Sequence, residues 1–369
     1  MLDLRSMRVA ARPPRRPRLR LLVHKPTFAC TARCAACEPR RRLHHDSRVR
    51  PQATFAQCEQ LYRQAAELGV RELHLSGGEP TLYPHLAELV ALGKRLGWFV
   101  MVNTNGSQFG REGLVRRLFD AGLDGVMLSL YSHQAAVHDS LRGQPGLFQR
   151  ALQALERCVR HRREGHDGFL VVTQSILARY NLLDAADLVR LVGDAGADVH
   201  LFSYVEGDFD VQHVPSAALI EQFRRHVLPR LRRQILVQRG AHPLLRAVGV
   251  WQAGRLFGHP GTRVSDYAAG IYQPDLGAAQ KCSIPETFLL LLADGDVHPC
   301  NMVEYSHAPV VGNVLDNGLD LRSVWHGPSW ERFRKDRHPR CRQCPMTQHV
   351  WIPLHLTLGR AGLFLRGRL

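Results

Sequence analysis

The sequence predicts an α/β fold: a partial (β/α)6 barrel followed by a small cysteine-rich unit. Three observations carry this. Between residues 19 and 204 the pattern switches six times between short, near-continuous apolar runs and helical periodicity, which argues a parallel sheet buried on both faces. Six strand–helix units are two short of a closed barrel of eight, so the barrel is expected to be open. Most of the cysteines fall in two clusters, one after the first strand and one near the C terminus.

The elements follow in order. A strand at 19–25 leads into a cysteine-rich loop. The helix 54–68, with Leu61, Ala65 and Leu68 on one face, precedes the strand 72–75. Then come the helix 83–96 and strand 98–103, the helix 112–121 and strand 125–130, and the helix 146–163 and strand 169–175. The helix 183–195 and strand 198–204 close the series. The expected organisation is a basic tail at 1–20, a core at 21–212, a linker or lid at 213–280, a cysteine-rich unit at 281–350 and an apolar-basic tail at 351–369. A basic amphipathic helix opens the linker at 216–237, and Trp251, Phe257, Tyr267 and Tyr272 suit a lid.

Composition sets the outer bounds. The chain has 369 residues, 45% hydrophobic and 22% charged, which excludes wholesale disorder. No run approaches the roughly 18 apolar residues of a membrane-spanning helix. Arginines without an apolar segment at the N terminus argue against secretion, so a cytoplasmic location is expected. Nine cysteines without an export signal favour metal-bound or free thiols over a disulfide framework. The excess of 49 Lys+Arg over 33 Asp+Glu gives a net charge of +16 and favours an anionic partner. Cys58 and Cys158 sit in apolar helical patterns and are expected in the core.

Cys30, Cys34 and Cys37 lie within eight residues on one loop. Three thiolates without a fourth nearby suit a 4Fe–4S cluster with one open iron better than structural zinc. Cys282, Cys300, Cys341 and Cys344 can close a site completely, as zinc or as a fully ligated cluster. At the end of the second strand stands Ser76-Gly77-Gly78-Glu79-Pro80. Two glycines let backbone approach a ligand, and Glu79 offers a carboxylate to an ammonium group. Asn103, Thr104, Asn105 and Gly106 end the third strand, and Ser129 lies in the fourth. Each alone is as readily a turn or cap residue.

Together these residues resemble the radical S-adenosylmethionine (radical SAM) superfamily. The likeness is carried by the CxxxCxxC loop, Gly77-Gly78-Glu79-Pro80, Thr104-Asn105-Gly106 and Ser129 before Leu130-Tyr131. His138-Asp139-Ser140-Leu141-Arg142-Gly143, Gly146, Phe148 and Asn181 extend it, so that it covers residues 21 to 210. Cys282, Gly295 and Cys300 resemble the opening of the SPASM/twitch extension. No cysteine follows Cys344, as in the shorter twitch type with one auxiliary cluster. The four-cysteine spacing resembles the aminocyclitol dehydrogenase type of butirosin biosynthesis and favours iron–sulfur over zinc. Ala36 departs from the family, which often has an aromatic residue there beside the adenine.

The resemblance implies that Cys30, Cys34 and Cys37 hold a 4Fe–4S cluster chelated by S-adenosylmethionine (SAM), whose ammonium Gly77, Gly78 and Glu79 secure. Asn103 and Ser129 are candidates for its carboxylate or ribose. Reductive cleavage then yields a 5′-deoxyadenosyl radical that abstracts hydrogen from substrate. An auxiliary 4Fe–4S cluster on Cys282, Cys300, Cys341 and Cys344 favours net oxidation. The expected substrate is a small biosynthetic metabolite, possible anionic ones included: a sugar, cyclitol or nucleoside. The alternative is a SPASM-type peptide or protein maturase, disfavoured because relatives of that kind often carry an N-terminal recognition domain. A flavodoxin or ferredoxin is the expected electron donor. Nucleic acid is not favoured, for want of a recognisable RNA-binding module. The tail 351–369 suits either peripheral membrane contact or a closing helix. Tyr131, Arg142, Tyr204, Glu206 and His298 are candidate substrate contacts.

Overall fold

The computed structural model describes residues 17–34, 37, 51–204, 213–237, 245–247, 249–250, 253, 256–257, 263–269, 284–300 and 310–335. Six parallel strands form the barrel wall: β1 (Leu21–Lys25), β2 (Glu72–Leu75), β3 (Phe99–Thr104), β4 (Gly125–Ser129), β5 (Leu170–Leu177) and β6 (Val199–Tyr204). Each pairs with its neighbour in sequence, giving the order β6-β5-β4-β3-β2-β1. The crossovers carry α1 (Phe55–Leu68), α2 (Leu86–Arg95), α3 (Glu112–Asp120), α4 (Ala135–Arg142), α5 (Leu147–Arg163) and α6 (Ala185–Asp194).

Side chains alternate across the sheet. Leu22, Leu73, Val100, Val126 and Val171 face outward onto Leu61, Leu89, Leu118 and Leu155 of the helices. Phe99, Met101, Met127, Val172 and Leu201 face inward and pack on one another. Burying one such aliphatic or aromatic side chain contributes about 1.5–3 kcal/mol. The first crossover shows how local signals set the boundaries. Thr54 and Gln57 form a reciprocal capping box at the start of α1, and Gly69, at φ 109°, ends it.

The helix α4 lies where the sequence pattern predicts none. It is only eight residues long, and the two side chains it buries, His138 and Arg142, are both polar, so it shows no apolar periodicity.

After β6 come α7 (Ala217–Gln222), a π turn at Phe223–Val227 and α8 (Leu228–Val237). The wider turn lets Phe223, Val227, Leu228, Leu231 and Ile235 all reach the core. Of the expected lid, Phe257 and Tyr267, the latter on α9 (Val264–Ala268), are described. Phe257 packs on Tyr267, on Phe223 and on Tyr204 at the outward face of β6, and its amide donates to the Tyr204 hydroxyl at 3.0 Å. That is the helix side of the sheet. Trp251 and Tyr272 lie outside the described residues.

The C-terminal unit continues the same sheet. After α10 (Ile284–Thr287), β7 (Phe288–Leu292) pairs parallel with β1, from Leu21↔Phe288 to Lys25↔Leu292. β8 (Asp296–His298) and β9 (Gly312–Asn313) follow antiparallel. The helices α11 (Leu321–Trp325) and α12 (Pro328–Lys335) pack Trp325 and Trp330 into the main core. One side chain ties this unit to α1: Gln64 donates to the Leu319 carbonyl at 2.6 Å and accepts from the Leu321 amide at 2.9 Å. Leu319 holds a positive φ of 65° there. The fold is therefore an α/β barrel-like core with a small C-terminal unit joined through β1 and β7. Among the described residues no helix is long and apolar enough to cross a membrane. The basic tail and the 351–369 segment lie outside the described residues.

Candidate active site

A cavity of about 630 Å³ opens at the C-terminal ends of the strands, where ligands gather in parallel α/β sheets. Cys30, Cys34 and Cys37 line one end of it. Its floor is lined by polar residues on the inward phase of five strands: Lys25, Ser76 and Asn103 at one level, and Ser129 and Gln174 one inward step further along, with Met127 opposite Asn103. Tyr131 and Arg142 line one side, and Ala178, Tyr180 and His213 form the far end.

The cysteine end is built from backbone. The Gly78 amide donates to the Thr27 carbonyl at 2.9 Å, and the Glu79 amide to the Ala29 carbonyl at 2.7 Å. A Cβ on Gly77 would lie 2.6 Å from the Thr27 oxygen, and one on Gly78 under 3.0 Å from the oxygens of Phe28 and Ala29. The glycines thus admit the cysteine loop itself, ahead of any ligand. On its other side the Arg33 amide donates to the Arg142 carbonyl at 2.9 Å, and Gly143, at φ 59°, leaves no room for a Cβ against the Arg33 oxygen. Asn105 donates to Thr31 Oγ1 at 3.1 Å and stands 3.8 Å from the Cys30 sulfur.

Glu79 is placed differently from the sequence expectation. Its side chain is buried and absent from the cavity lining. Oε1 accepts from Thr104 Oγ1 at 2.6 Å, Thr81 Oγ1 at 2.5 Å and the Thr81 amide at 3.2 Å, while Oε2 accepts from the Asn105 amide at 2.8 Å. Burial pushes its pKa up, and those four donors oppose the shift. The carboxylate fastens the turn after β2 to the end of β3. Asn103 and Ser129 do line the cavity, and the Asn103 Oδ1 is buried there without a hydrogen-bond partner. An orphaned acceptor of this kind fits a ligand that brings a donor.

Arg142 is buried with its guanidinium 4.6 Å from the Tyr131 ring centroid. Burial works to lower its pKa, but Tyr131 and the thiols of Cys34, Cys30 and Cys37 outweigh that and hold it raised, so it stays cationic. Burial likewise raises Tyr131. Desolvation pushes the Cys30 thiol up to about 11, against the Ala32 amide that donates to its sulfur at 3.4 Å. A metal bound there displaces that proton. Among the described residues no three His, Cys, Asp or Glu side chains are gathered tightly enough to hold a metal ion. The three thiols nonetheless share one cavity wall with a cation behind them, and that donor set fits an iron–sulfur cluster.

Other marks of the sequence are structural pins. Asp139 accepts from the Gly146 amide at 2.5 Å and the Phe148 amide at 2.8 Å, starting α5. His138 Nδ1 accepts from the Tyr131 amide at 3.1 Å. Asn181 donates to the carbonyls of Tyr131 and Ile176 at 2.6 and 2.9 Å. Of the proposed substrate contacts, Tyr131 and Arg142 reach the cavity, whereas Tyr204 faces outward and His298 is buried on β8. Glu206 lies outside the described residues. Lys25 and Gln174 were missed, although each is a polar residue on the inward phase of an apolar strand. In the second cluster only Cys300 is described, partly buried beside an apolar patch of Leu21, Phe288 and Phe28. Cys282, Cys341 and Cys344 lie outside the described residues.

An open parallel barrel that presents three cysteines on one cavity defines an α/β enzyme of iron–sulfur type. Residues 25–192 match the radical SAM superfamily, and residues 282–345 match SPASM, an iron–sulfur cluster-binding domain. The chain therefore has a radical SAM core and a small C-terminal SPASM-like domain. It is similar to the PqqA peptide cyclases of Xanthomonas campestris, 27% identical over 88% of this chain and 79% of the relative, and of Gluconobacter oxydans, 26% over 88% and 82%. In fold it resembles Streptococcus suis SuiB bound to its precursor peptide SuiA, with a TM-score of 0.62 and 17% identity over 90% of this chain and 71% of SuiB. SuiB bound to S-adenosylmethionine matches equally, at TM-score 0.62. These relatives overturn the expected small-molecule substrate, because the curated ones are named for action on a peptide. The narrower likeness to an aminocyclitol dehydrogenase falls with it: a four-cysteine spacing reports how a cluster is held, and not what is oxidised.

Proposed function

We propose that this chain is a peptide-modifying radical SAM enzyme. The observation that carries the reading is the single cavity that joins Cys30, Cys34 and Cys37 to Asn103 and Ser129 and then opens between β5 and α7. Likeness to the peptide cyclases over most of the chain supports a peptide substrate. Cys30, Cys34 and Cys37 would hold a 4Fe–4S cluster, and Cys282, Cys300, Cys341 and Cys344, all within the SPASM match, an auxiliary one. When bound, a reduced cluster and SAM supply a 5′-deoxyadenosyl radical able to remove a hydrogen atom from the substrate.

The chain's own residues set the stage for that chemistry. The Gly77–Gly78 backbone, Asn103 and Ser129 form the wall along which SAM would lie. Asn103 Oδ1 accepts one of its donors, and Ser129 supplies a hydroxyl. Arg142 offsets the negative charge of three thiolates in a site of low dielectric. Inward Met127 and Ile176 keep water from the middle of the cavity. The volume is in the range of a single-ligand pocket, so a peptide would insert one side chain and leave its main chain outside. Anaerobic protein with full iron content, dithionite and SAM should release 5′-deoxyadenosine. Given the peptides encoded by short reading frames beside its gene, it should convert one of them to a species about two hydrogens lighter. No mass change in any such peptide, with 5′-deoxyadenosine still formed, would reject the peptide reading.

A further inference from the structure

Three observations that the catalytic reading does not use point the same way. The chain carries a net charge of +16. Among the described residues lining the cavity are Lys25, Arg142 and His213 but no Asp or Glu, and Arg142 already balances the thiols. Finally, the π turn between α7 and α8 exposes Arg224 and Arg225 to solvent and α8 exposes Arg233, and Glu221 is the lone acid from Ala217 to Val237. The nearby Arg230 is different, since it reaches Asp187 of α6. His213, at the cavity mouth, stands three residues before Ser216, the cap of α7, and three residues span at most about 11 Å. α7 also packs on the turn at Leu182–Asp184 that follows Tyr180 of the mouth. The helical segment that carries these arginines therefore starts beside the cavity mouth, at the end remote from the cysteines, with Arg224 eight residues beyond its cap.

We infer that the solvent face of α7–α8, centred on Arg224, Arg225 and Arg233, docks an acidic segment of the peptide substrate and leads it to the mouth at Tyr180 and His213. This rests on the peptide reading above and specifies the peptide's charge. An acidic electron-donor protein is the competing occupant, but a donor must approach the cysteines at the β1 end, and the basic face lies at the β5–β6 end. Clustered cations of this kind raise the capture rate of an oppositely charged segment and lose that advantage as salt rises.

The test uses the full-length, anaerobically reconstituted protein with SAM and a fluorescein-labelled octaglutamate peptide, read by anisotropy at several salt concentrations. The triple variant Arg224→Glu, Arg225→Glu, Arg233→Glu should bind the probe at least about tenfold more weakly and with a flatter salt dependence. A control triple on α3, Arg111→Glu, Arg116→Glu, Arg117→Glu, makes the same change in net charge and should lose no more than about twofold. Both should keep the wild-type melting temperature within a few degrees, as exposed substitutions do. Equal losses in the two triples would overturn the proposal, because the probe would then be reading net charge alone. So would tighter binding of a single-stranded oligonucleotide through the same three arginines. Slower reduction by flavodoxin with octaglutamate binding unchanged would assign the face to the donor. Because the probe is not a substrate, failure here leaves the peptide reading standing, and failure to modify any peptide leaves the docking result standing.

Discussion

The two ends of the cavity are built on different terms. The cysteine end is held by main chain: the amides of Gly78, Glu79 and Arg33 and the carbonyls of Thr27, Ala29 and Arg142 clamp the loop, and at Gly77, Gly78 and Gly143 a single methyl would collide with backbone. The far end has one such main-chain bond, from the Arg179 amide to the His213 carbonyl at 2.9 Å, and is otherwise held by side chains: Gln174 bonds Ser203 at 3.1 Å, Arg179 lies 4.6 Å from the Tyr180 ring, and Tyr180 leans on His213. A backbone clamp tolerates almost no change in residue type, whereas a side-chain lining can be exchanged without disturbing the strands. The first suits a cofactor that never varies, the second a substrate that does.

The largest expected effect breaks the clamp. Gly78→Ala should prevent the cysteine loop from seating, so that iron after reconstitution falls to about half, the share left by one of two four-iron clusters. Tyr180→Ala, at the other end, should keep the full iron content. Loss of iron in both would show that the ends are not independent.

Acid sharpens the comparison next. Burial lowers His24 and His74 at the β1–β2 end, and His138 and His200 toward β4–β6, each to a pKa of about 3. Their folded pKa values lie below the unfolded value of about 6.5, so the unfolded chain takes up protons first as pH falls. Stability is complete above pH 6.5 and declines below it by about 1.4 kcal/mol per pH unit for each histidine, down to pH 3. Urea midpoints at pH 7 and 5.5 should show this. His24→Gln and His200→Gln should each flatten the slope, and unequal flattening would reveal which end opens first.

Glu79→Gln should then cost about 1–3 kcal/mol of stability, because an amide cannot accept all four donors. Its KM for SAM should stay within about threefold, since the carboxylate faces away from the cavity. Asn103→Ala should do the reverse, raising that KM by about tenfold with little change in melting temperature. A large KM effect from Glu79→Gln would return the carboxylate to the ligand. The smallest effect is expected far from both ends: Thr54→Ala removes a cap and should cost about 1 kcal/mol without touching iron or SAM.

This contrast also explains what could be read from the sequence. The cysteine end was legible because backbone crowding forces glycine, and three thiols at fixed spacing have few other uses. The six-strand alternation was legible because parallel strands buried on both faces are apolar throughout. At Glu79 a carboxylate beside a glycine pair invites a ligand, and its hydrogen bonds were not legible because two of the four donors come from Thr81 in its own turn and two from Thr104 and Asn105 at the end of β3. Tyr204 misled because a strand end names a position but not a face; its phase matches that of outward-facing Phe202. Tyr180 and His213 went unread because no motif links a residue after β5 to one before α7. The pairing of β7 with β1 was equally out of reach, since nothing in Phe288–Leu292 specifies a partner so far away.

That pairing has a consequence for how the chain is made. β1 is the first of the described strands to leave the ribosome, yet its neighbour on one side, β7, follows some 267 positions later, Leu21 meeting Phe288. At about 5–20 residues per second the wait is roughly 15–50 s. During that interval one edge of β1, with its apolar run Leu21–Val23, stands uncovered next to the loop that carries Cys30, Cys34 and Cys37. Closure of the wall beside Cys30, Cys34 and Cys37 and the end of translation are thereby tied together, and a chain cut short before residue 288 would keep these three cysteines while leaving their supporting strand open to association with other chains.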